Sequence, residues 1–139
     1  MDYKELIKKA IDAREKAYCP YSKFKVGSAV LFEDGVIYEG SNIENASFGG
    51  TYCAERTAIF AGVHAGNRVI KAIAVIGDTT TYTYPCGICR QIIAEFVEDG
   101  SIPVIIIKNK DEYIVKTFEE ILPGVFSKKD LKLQEETNA

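Results

Sequence analysis

The stretches IKAIAVI, at positions 70–76, and IPVIII, at positions 102–107, are short and almost continuously apolar. A strand covered on one face alternates apolar and polar residues, whereas such runs are typical of central strands covered on both faces. Between the two runs, an apolar residue recurs every four positions, at Ile88, Ile92 and Phe96, which indicates a helix. Strand, helix and strand in this order predict two parallel neighbouring strands with a right-handed connection.

Further strands are predicted on both sides of this central unit. Residues 24–32 are rich in β-branched and aromatic side chains, and Asp34-Gly35 separates them from a second run that starts at Val36. This pattern predicts an antiparallel hairpin with a tight turn. Residues 113–115 follow a polar stretch and are predicted to form an edge strand, again paired as a hairpin.

Helices are predicted before and between the strands. Apolar residues at helical spacing indicate an amphipathic first helix that ends before Pro20, with Asp2 and Glu5 as an N-terminal capping box. Residues 54–65 are rich in small and apolar side chains and predict a second helix that ends near Gly66. The predicted fold class is α/β, a three-layer α/β/α sandwich with a mixed sheet of about five strands.

The composition is that of one folded domain covering residues 1–139. Hydrophobic residues make up 47% of the chain and charged residues 27%, and 17 basic against 20 acidic side chains give a net charge of −3. These values exclude a disordered chain, a membrane-spanning protein and a collagen-like repeat. Without a block of lysine and arginine, we expect a small-molecule partner, no nucleic acid and no membrane. The N-terminal residues lack a signal-peptide pattern, which predicts a non-secreted, cytoplasmic protein.

Three of the four cysteines stand at the starts of predicted helices. Cys53 opens the sequence Cys-Ala-Glu, and Cys86 opens the sequence Cys-Gly-Ile-Cys that ends at Cys89. Cys86 and Cys89 are three residues apart and face the same way across one helical turn, which suits two ligands of a single ion. Cys53 and Glu55 would point apart inside a helix, but from the first turn both can reach a point beyond the helix end.

Three thiolates with one open position form the ligand set of a catalytic zinc ion, because a structural site normally closes with a fourth protein ligand. Glu55 is then free for proton transfer, which argues against a purely structural zinc protein. Three thiolates leave an excess of negative charge on Zn2+, so a nearby cation is needed if a bound water is to ionise near pH 7. Arg56 is the candidate for hydrogen bonds to the cysteine sulfurs.

Five ordered motifs together resemble the small homotetrameric cytidine deaminases over nearly the whole chain. They are YCPYSKFKVG at 18–27, SNIENAS at 41–47, CAERTA at 53–58, PCGICRQ at 85–91 and LPGVF at 122–126. The resemblance implies a cytidine deaminase-like fold and hydrolytic deamination of cytidine and 2′-deoxycytidine to uridine and 2′-deoxyuridine, with release of ammonia, in pyrimidine salvage.

The same resemblance implies a mechanism and a set of substrate contacts. One Zn2+ per subunit, on Cys53, Cys86 and Cys89, activates a water that attacks C4 of the pyrimidine ring, and Glu55 moves the protons. Of the substrate positions, Asn42 and Glu44 match residues that hydrogen-bond the ribose 3′-hydroxyl, the backbone near Ala54 holds the base, and Phe24 packs against it. Ala46, Phe48 and Phe126 match residues that reach a neighbouring subunit's site, so each site of the homotetramer is composite. The full set of substrate positions is Phe24, Asn42, Glu44, Asn45, Ala46, Phe48, Ala54 and Phe126.

Two features keep other functions open. Phe48 stands where many relatives have tyrosine, and Phe48-Gly49-Gly50 also resembles the blasticidin-type deaminases, which act on an antibiotic that carries a cytosine. The intact SNIENAS motif and Arg56 favour the nucleoside enzyme. A nucleic-acid deaminase or a zinc-dependent RNA-binding module would need basic tracks for phosphates, which this acidic sequence lacks.

Overall fold

The computed structural model describes residues 2–131, which form a five-stranded sheet with α-helices packed around it and a last helical stretch at 128–131. The helices are α1 (Lys4–Arg14), α2 (Ala54–His64), α3 (Gly87–Glu95) and α4 (Phe118–Ile121). The strands are β1 (Gly27–Phe32), β2 (Ile37–Ser41), β3 (Ile70–Ile76), β4 (Pro103–Asn109) and β5 (Glu112–Thr117). Within this range, no helix is both long enough and apolar enough to cross a membrane.

The sheet has the order β2-β1-β3-β4-β5 and is mixed. Strands β3 and β4 are parallel neighbours, with Ile73 opposite Val104, and helix α3 lies between them in the chain. All other strand pairs are antiparallel, including the β1–β2 hairpin and the β4–β5 hairpin at the sheet edge. The predicted mixed five-stranded sheet is therefore confirmed.

Helices cover both faces of the sheet, and the central strands contribute to both layers. Ile73 and Val75 of β3 pack in a cluster with residues of α2 and α3, whereas Ala72 and Ala74 lie in a second cluster with residues of α1. Adjacent strand residues point to opposite faces, so a strand covered twice is apolar throughout. The predicted three-layer sandwich is confirmed.

Helix α1 is shorter than predicted, because a tertiary contact takes over the chain after it. It ends at Arg14 and does not continue toward Pro20. The backbone of Tyr18 instead forms a bridge, accepting a hydrogen bond from Glu44 N at 2.8 Å and donating one to Asn42 O at 2.9 Å. The predicted capping box is also wrong, since the Asp2 carboxylate accepts from Lys4 N and Tyr3 is the N-cap.

Strand β1 also starts later than predicted, at Gly27 instead of residue 24. The side-chain amide of Asn42 takes the place of a partner strand here: it donates to Phe24 O at 2.7 Å and accepts from Val26 N at 2.9 Å. Two short elements were not predicted, a 3-10 helix at Phe48–Gly50 and helix α4. Helix α4 begins with a capping box, formed by Thr117 and Glu120.

A close backbone contact fixes the start of α2 against the sheet. Gly40 of β2 lies so close to α2 that a Cβ there would overlap the backbone of Ala54 and Ala58. Only a glycine allows the two backbones to approach in this way. The first turn of α2 is therefore held directly over the end of β2.

Candidate metal centre and active site

Two helix starts converge at one end of the sheet and bring three cysteines together. Cys53 is the N-cap of α2 and Cys86 the N-cap of α3, each with extended backbone angles, and Cys89 lies in the first turn of α3. The Sγ atoms of Cys53 and Cys86 are 3.8 Å apart, and those of Cys86 and Cys89 are 3.4 Å apart. All three sulfurs lie within 4.8 Å of one another.

This cluster fits a zinc ion. Tetrahedral zinc with sulfur ligands at about 2.3 Å places those sulfurs about 3.8 Å apart, close to the observed spacing. The unpaired N–H groups and dipoles at two helix N-termini favour the thiolate charges. In the part of the chain that the structure describes, these three side chains are the group that can hold a metal, and Glu55 is not among them.

Arg56 lies on the outer side of Cys53, where the sequence predicted a compensating cation. Its Nη2 donates to Thr51 O at 3.3 Å and to Cys53 Sγ at 3.5 Å, and its guanidinium stacks 4.9 Å above the centre of the Tyr52 ring. The hydrogen bond to the Cys53 thiolate raises the pKa of Arg56. Its Nε is buried and has no hydrogen-bond partner among the described residues, so the position beside the cluster leaves one donor unsatisfied there.

The pKa values of Cys53 and Cys89 shift in opposite directions. Hydrogen bonding from Cys89, and then from Arg56, lowers the pKa of Cys53 to about 5, although burial opposes this. The same hydrogen bond to Cys53, together with burial, raises the pKa of Cys89. A metal ion that binds all three sulfurs must therefore displace a proton from Cys89, which couples zinc affinity to pH.

Glu55 lies in the first turn of α2 and is 3% exposed. Burial is the main reason that its pKa rises from 4.5 to about 7, and the charge on Cys53 adds to the rise. A carboxyl group that titrates near neutral pH can both accept and donate a proton during a reaction. This is the property that the sequence analysis required of Glu55.

A cavity of about 310 Å3 opens from the cysteine cluster. Pockets for small organic ligands start at about this volume. Of the predicted site residues, those that line the cavity are Phe24, Asn42, Glu44, Cys53, Ala54, Glu55 and Cys86. The structure therefore brings Glu55, two of the three predicted ligand cysteines and four of the predicted substrate positions to one cavity.

The remaining substrate positions lie outside this cavity. Phe48 is 78% exposed and lines a neighbouring shallow cavity that it shares with Glu44. Phe126 is 61% exposed, and its backbone carbonyl accepts a hydrogen bond from Gln91 Nε2 at 2.7 Å. Asn45 and Ala46 are also exposed. In the described chain, none of these four residues lines the cavity at the cysteines.

Several cavity-lining residues were not singled out from the sequence. Ser22 is part of the YCPYSKFKVG motif, so its position beside Phe24 could have been noticed. Thr83 and Tyr84 directly precede the Pro-Cys motif, and aromatic residues in a loop next to metal ligands are a usable signal. Val75 gave no such signal, because it is indistinguishable from other strand residues. The full set is Ser22, Val26, Thr51, Tyr52, Val75, Thr83 and Tyr84.

Comparison with protein families decides the assignment. Residues 1–115 match the family described as "Cytidine and deoxycytidylate deaminase zinc-binding region". The chain belongs to this family. The three cysteines of the cluster all lie within the matched range, so the deaminase family and the predicted binding of one Zn2+ per subunit agree with the geometry.

Individual relatives match almost end to end. The chain is 53% identical over 131 residues to a cytidine deaminase of Sporosarcina psychrophila, a match that covers 94% of this chain and 96% of the relative. It is 47% identical over 131 residues to a cytidine deaminase of Halalkalibacterium halodurans, with 94% and 98% of the two chains covered.

Solved structures give the same result. The crystal structure of a cytidine deaminase from Burkholderia pseudomallei superposes with a TM-score of 0.83 at 43% identity, covering 91% of this deaminase and 100% of that chain. A cytidine deaminase from Mycobacterium tuberculosis superposes with a TM-score of 0.79 at 32% identity, covering 91% and 98%. The predicted family, its fold and the class of zinc-dependent hydrolytic deaminase are confirmed.

Proposed function

We propose that this single-domain protein deaminates cytidine and 2′-deoxycytidine to uridine and 2′-deoxyuridine, with release of ammonia. One observation carries the proposal: a nearly fully buried Glu55 and the Cys53 and Cys86 ligands line the same small cavity. A metal cluster beside a carboxyl group with a pKa near 7 combines the two functions that hydrolysis of an amidine carbon requires.

The residues have distinct roles in this reaction. Zn2+ held by Cys53, Cys86 and Cys89 would supply the Lewis acidity that activates a water for attack on C4. Glu55 accepts a proton from that water and delivers it to ring N3. The carboxyl group then assists protonation of the leaving amino group, so the second water proton departs with ammonia. The burial that raises the pKa of Glu55 makes both directions of transfer accessible near pH 7.

Other residues of the cavity wall provide the nucleoside contacts in this proposal. Phe24 offers an aromatic edge to the base, and the backbone at Ala54 holds it. Asn42 and Glu44 approach the ribose 3′-hydroxyl. All four residues line the cavity, and the Glu44 carboxylate keeps its charge because hydrogen bonds, above all from the Ser22 hydroxyl, lower its pKa.

We further propose a homotetramer in which each site is shared between subunits. Phe48 and Phe126, with exposed fractions of 78% and 61%, are large apolar side chains that the described residues leave mostly uncovered. Exposed aromatic side chains in loops beside an active-site cavity are typical of a surface that another protein chain covers. In the assembly, Phe126 stacks on the base in a neighbouring subunit, and Asn45 and Ala46 complete the rim.

We also propose that the protein serves pyrimidine salvage in the cytoplasm. Deamination of a free nucleoside returns a cytosine compound to the uracil pool. A net charge of −3 fits a neutral nucleoside better than a nucleic-acid strand. If the protein does not bind an oligonucleotide that is added at low salt, the result agrees with this assignment.

The deciding experiment follows the ultraviolet absorbance of cytidine with the purified, zinc-loaded protein. We expect loss of cytidine with the wild-type protein and at least a 100-fold slower rate with Glu55→Gln, the lower range for removing a general acid and base. Zinc content of the variant, measured by atomic absorption, should stay at one per chain. A rate for the variant within threefold of wild type would remove Glu55 from the mechanism.

A parallel assay with blasticidin S separates the two deaminase substrates. We expect faster turnover of cytidine than of blasticidin S at equal substrate concentration. An inactive wild-type protein on cytidine, with turnover of blasticidin S, would replace the proposed substrate with the aminoacyl-cytosine nucleoside.

A further inference from the structure

The Glu44 carboxylate is held by the loop that carries Phe24. Its Oε1 accepts hydrogen bonds from the backbone N–H groups of Tyr21, at 3.0 Å, and Ser22, at 3.1 Å. Its Oε2 accepts a short hydrogen bond from the Ser22 hydroxyl. The Ser22 oxygen in turn accepts from Phe24 N at 3.0 Å. One serine side chain therefore connects the carboxylate to the backbone of the aromatic residue.

This arrangement leaves one acceptor direction of Glu44 unused by the described residues. An ionised carboxylate has about four lone-pair directions. Two on Oε1 are taken by backbone N–H groups and one on Oε2 by Ser22. The remaining direction belongs to Oε2, and both Ser22 and Glu44 line the cavity that contains the cysteines.

The loop itself needs support to keep this geometry. Lys23, between Ser22 and Phe24, has a φ of +60°. This left-handed conformation is unfavourable for a residue with a side chain. Three hydrogen bonds hold the loop in this conformation: Phe24 N donates to the Ser22 hydroxyl oxygen, Val26 N donates to the Asn42 side-chain oxygen, and the Asn42 side-chain nitrogen donates to Phe24 O.

We propose that Ser22 is a positioning residue that turns the free lone pair of Glu44 toward a sugar hydroxyl of the nucleoside. Without the Ser22 hydroxyl, Oε1 would still be held by two backbone donors, but Oε2 could rotate about that anchor. The carboxylate would then meet the sugar in several orientations, which weakens binding but leaves the chemistry at the base unchanged. This inference rests on the proposed function, since it requires a nucleoside in the cavity.

The test compares Ser22→Ala with wild type on cytidine and on 3′-deoxycytidine. With cytidine we expect KM to rise about tenfold, the effect of a hydrogen bond to a charged group, while kcat stays within twofold. With 3′-deoxycytidine, KM should change less than twofold, because no 3′-hydroxyl is present to be positioned. Ser22→Thr keeps the hydroxyl at an exposed position and should restore the wild-type KM for cytidine.

Ser101→Ala is the matched control. The Ser101 hydroxyl and backbone N–H both donate to the Asp99 carboxylate, the same pattern as at Ser22 and Glu44, but away from the cavity. This variant should leave KM unchanged with both substrates. Ser22→Cys, which keeps the size but is a weak donor, replaces Ser22→Ala if that variant does not fold.

Two results would overturn the inference: an unchanged KM for cytidine in Ser22→Ala, or equal rises of KM with both substrates. The second would mean that Ser22 acts only by supporting the loop. Calorimetry of uridine and 3′-deoxyuridine binding to wild type and Ser22→Ala repeats the comparison without turnover. If wild-type protein neither converts cytidine nor binds uridine, the proposed function itself fails, which distinguishes that outcome from a failure of the Ser22 role.

Discussion

The inner end of the cavity and its outer rim are built in opposite ways. At the inner end, Cys89 is fully buried, Glu55 is 3% exposed, and both are held by the first turns of helices that pack on the sheet. The rim that we propose contains Phe48, in the 3-10 helix, and Phe126, in a loop, and both side chains are mostly exposed. The predicted catalytic and metal-binding side chains of this deaminase therefore lie within one chain, whereas the exposed aromatic side chains are available to the second copy that we propose.

This difference has a physical cause. A helix N-terminus fixes the direction of its first side chains and supplies N–H dipoles for negative charge. Loop residues lack such support until they pack against another surface. Mutations at the inner end should therefore act within their own subunit, and mutations at the rim should act on a neighbour.

Mixing two inactive variants gives the largest expected effect. Co-expression of Glu55→Gln and Phe126→Ala chains creates hybrid sites in which Glu55 and Phe126 come from different, intact copies. By random assembly, roughly a quarter of the sites in a symmetric oligomer regain both groups. We expect the mixture to deaminate cytidine at a substrate concentration at which neither variant alone is active.

The control mixture combines Glu55→Gln with Cys86→Ala. Both changes affect the inner end, which one chain builds alone, so no site regains both groups and activity should stay absent. Equal activity of the two mixtures, or none in the first, would contradict a rim shared between subunits.

A stability measurement examines the cost of burying Glu55. Below pH 4.5 the carboxyl group is protonated in the folded and unfolded chains. Between pH 4.5 and about 7 only the unfolded chain loses the proton, so stability falls with rising pH, and above about pH 7 the loss is complete. The difference between these pKa values corresponds to about 3 kcal/mol.

Glu55→Gln removes this cost. In zinc-free, reduced protein, urea unfolding should show the variant gaining about 3 kcal/mol relative to wild type between pH 4 and pH 8. Glu95→Gln, at an exposed position of α3, controls for loss of a surface carboxyl group. A constant difference between Glu55→Gln and wild type at both pH values would contradict the raised pKa.

Arg56→Ala tests whether the arginine beside Cys53 contributes to zinc affinity. Arg56 Nη2 donates to Cys53 Sγ, and such groups around metal ligands typically change affinity by 10–100-fold. We expect the variant to release zinc at a chelator concentration about tenfold lower than wild type requires, or lower still. KM for cytidine should be unchanged when the protein is kept zinc-loaded. Arg68→Ala, in the segment that follows α2, is the matched control, because within the described residues its guanidinium donates only to backbone carbonyls. Equal zinc retention in both variants would exclude charge compensation by Arg56.

Gln91→Leu gives the smallest expected effect and tests how the rim is attached to the inner end. Gln91 lies on α3, two residues after the metal ligand Cys89, and donates to Phe126 O at 2.7 Å. Loss of this hydrogen bond, worth about 1 kcal/mol, should raise KM for cytidine about fivefold without changing zinc content. Glu95→Leu, one turn further along α3, should leave KM unchanged. An unaltered KM in Gln91→Leu would mean that the position of Phe126 is set by the neighbouring subunit alone.

The pattern of apolar and polar residues along the chain was sufficient to predict the elements that depend on neighbouring residues. Strand β3 was predicted with its observed bounds, because a doubly covered strand must be apolar at every position. Cys53 and Cys86 were placed at helix starts because polar and turn-forming residues precede apolar periodic stretches. The same reasoning failed at the end of α1, where the pairing of Tyr18 with residues 42–44 overrides helical periodicity.

The sequence by itself determined the family, the three thiol ligands and the layered α/β fold, since each depends on residue type and spacing along the chain. Only the tertiary structure decided which groups change their chemistry. Burial between α2 and the sheet brings the pKa of Glu55 near 7. Contact across the cavity wall joins Ser22 to Glu44, 22 residues apart. Neither effect can be read from local pattern, because desolvation and long-range hydrogen bonds exist only once distant segments have packed.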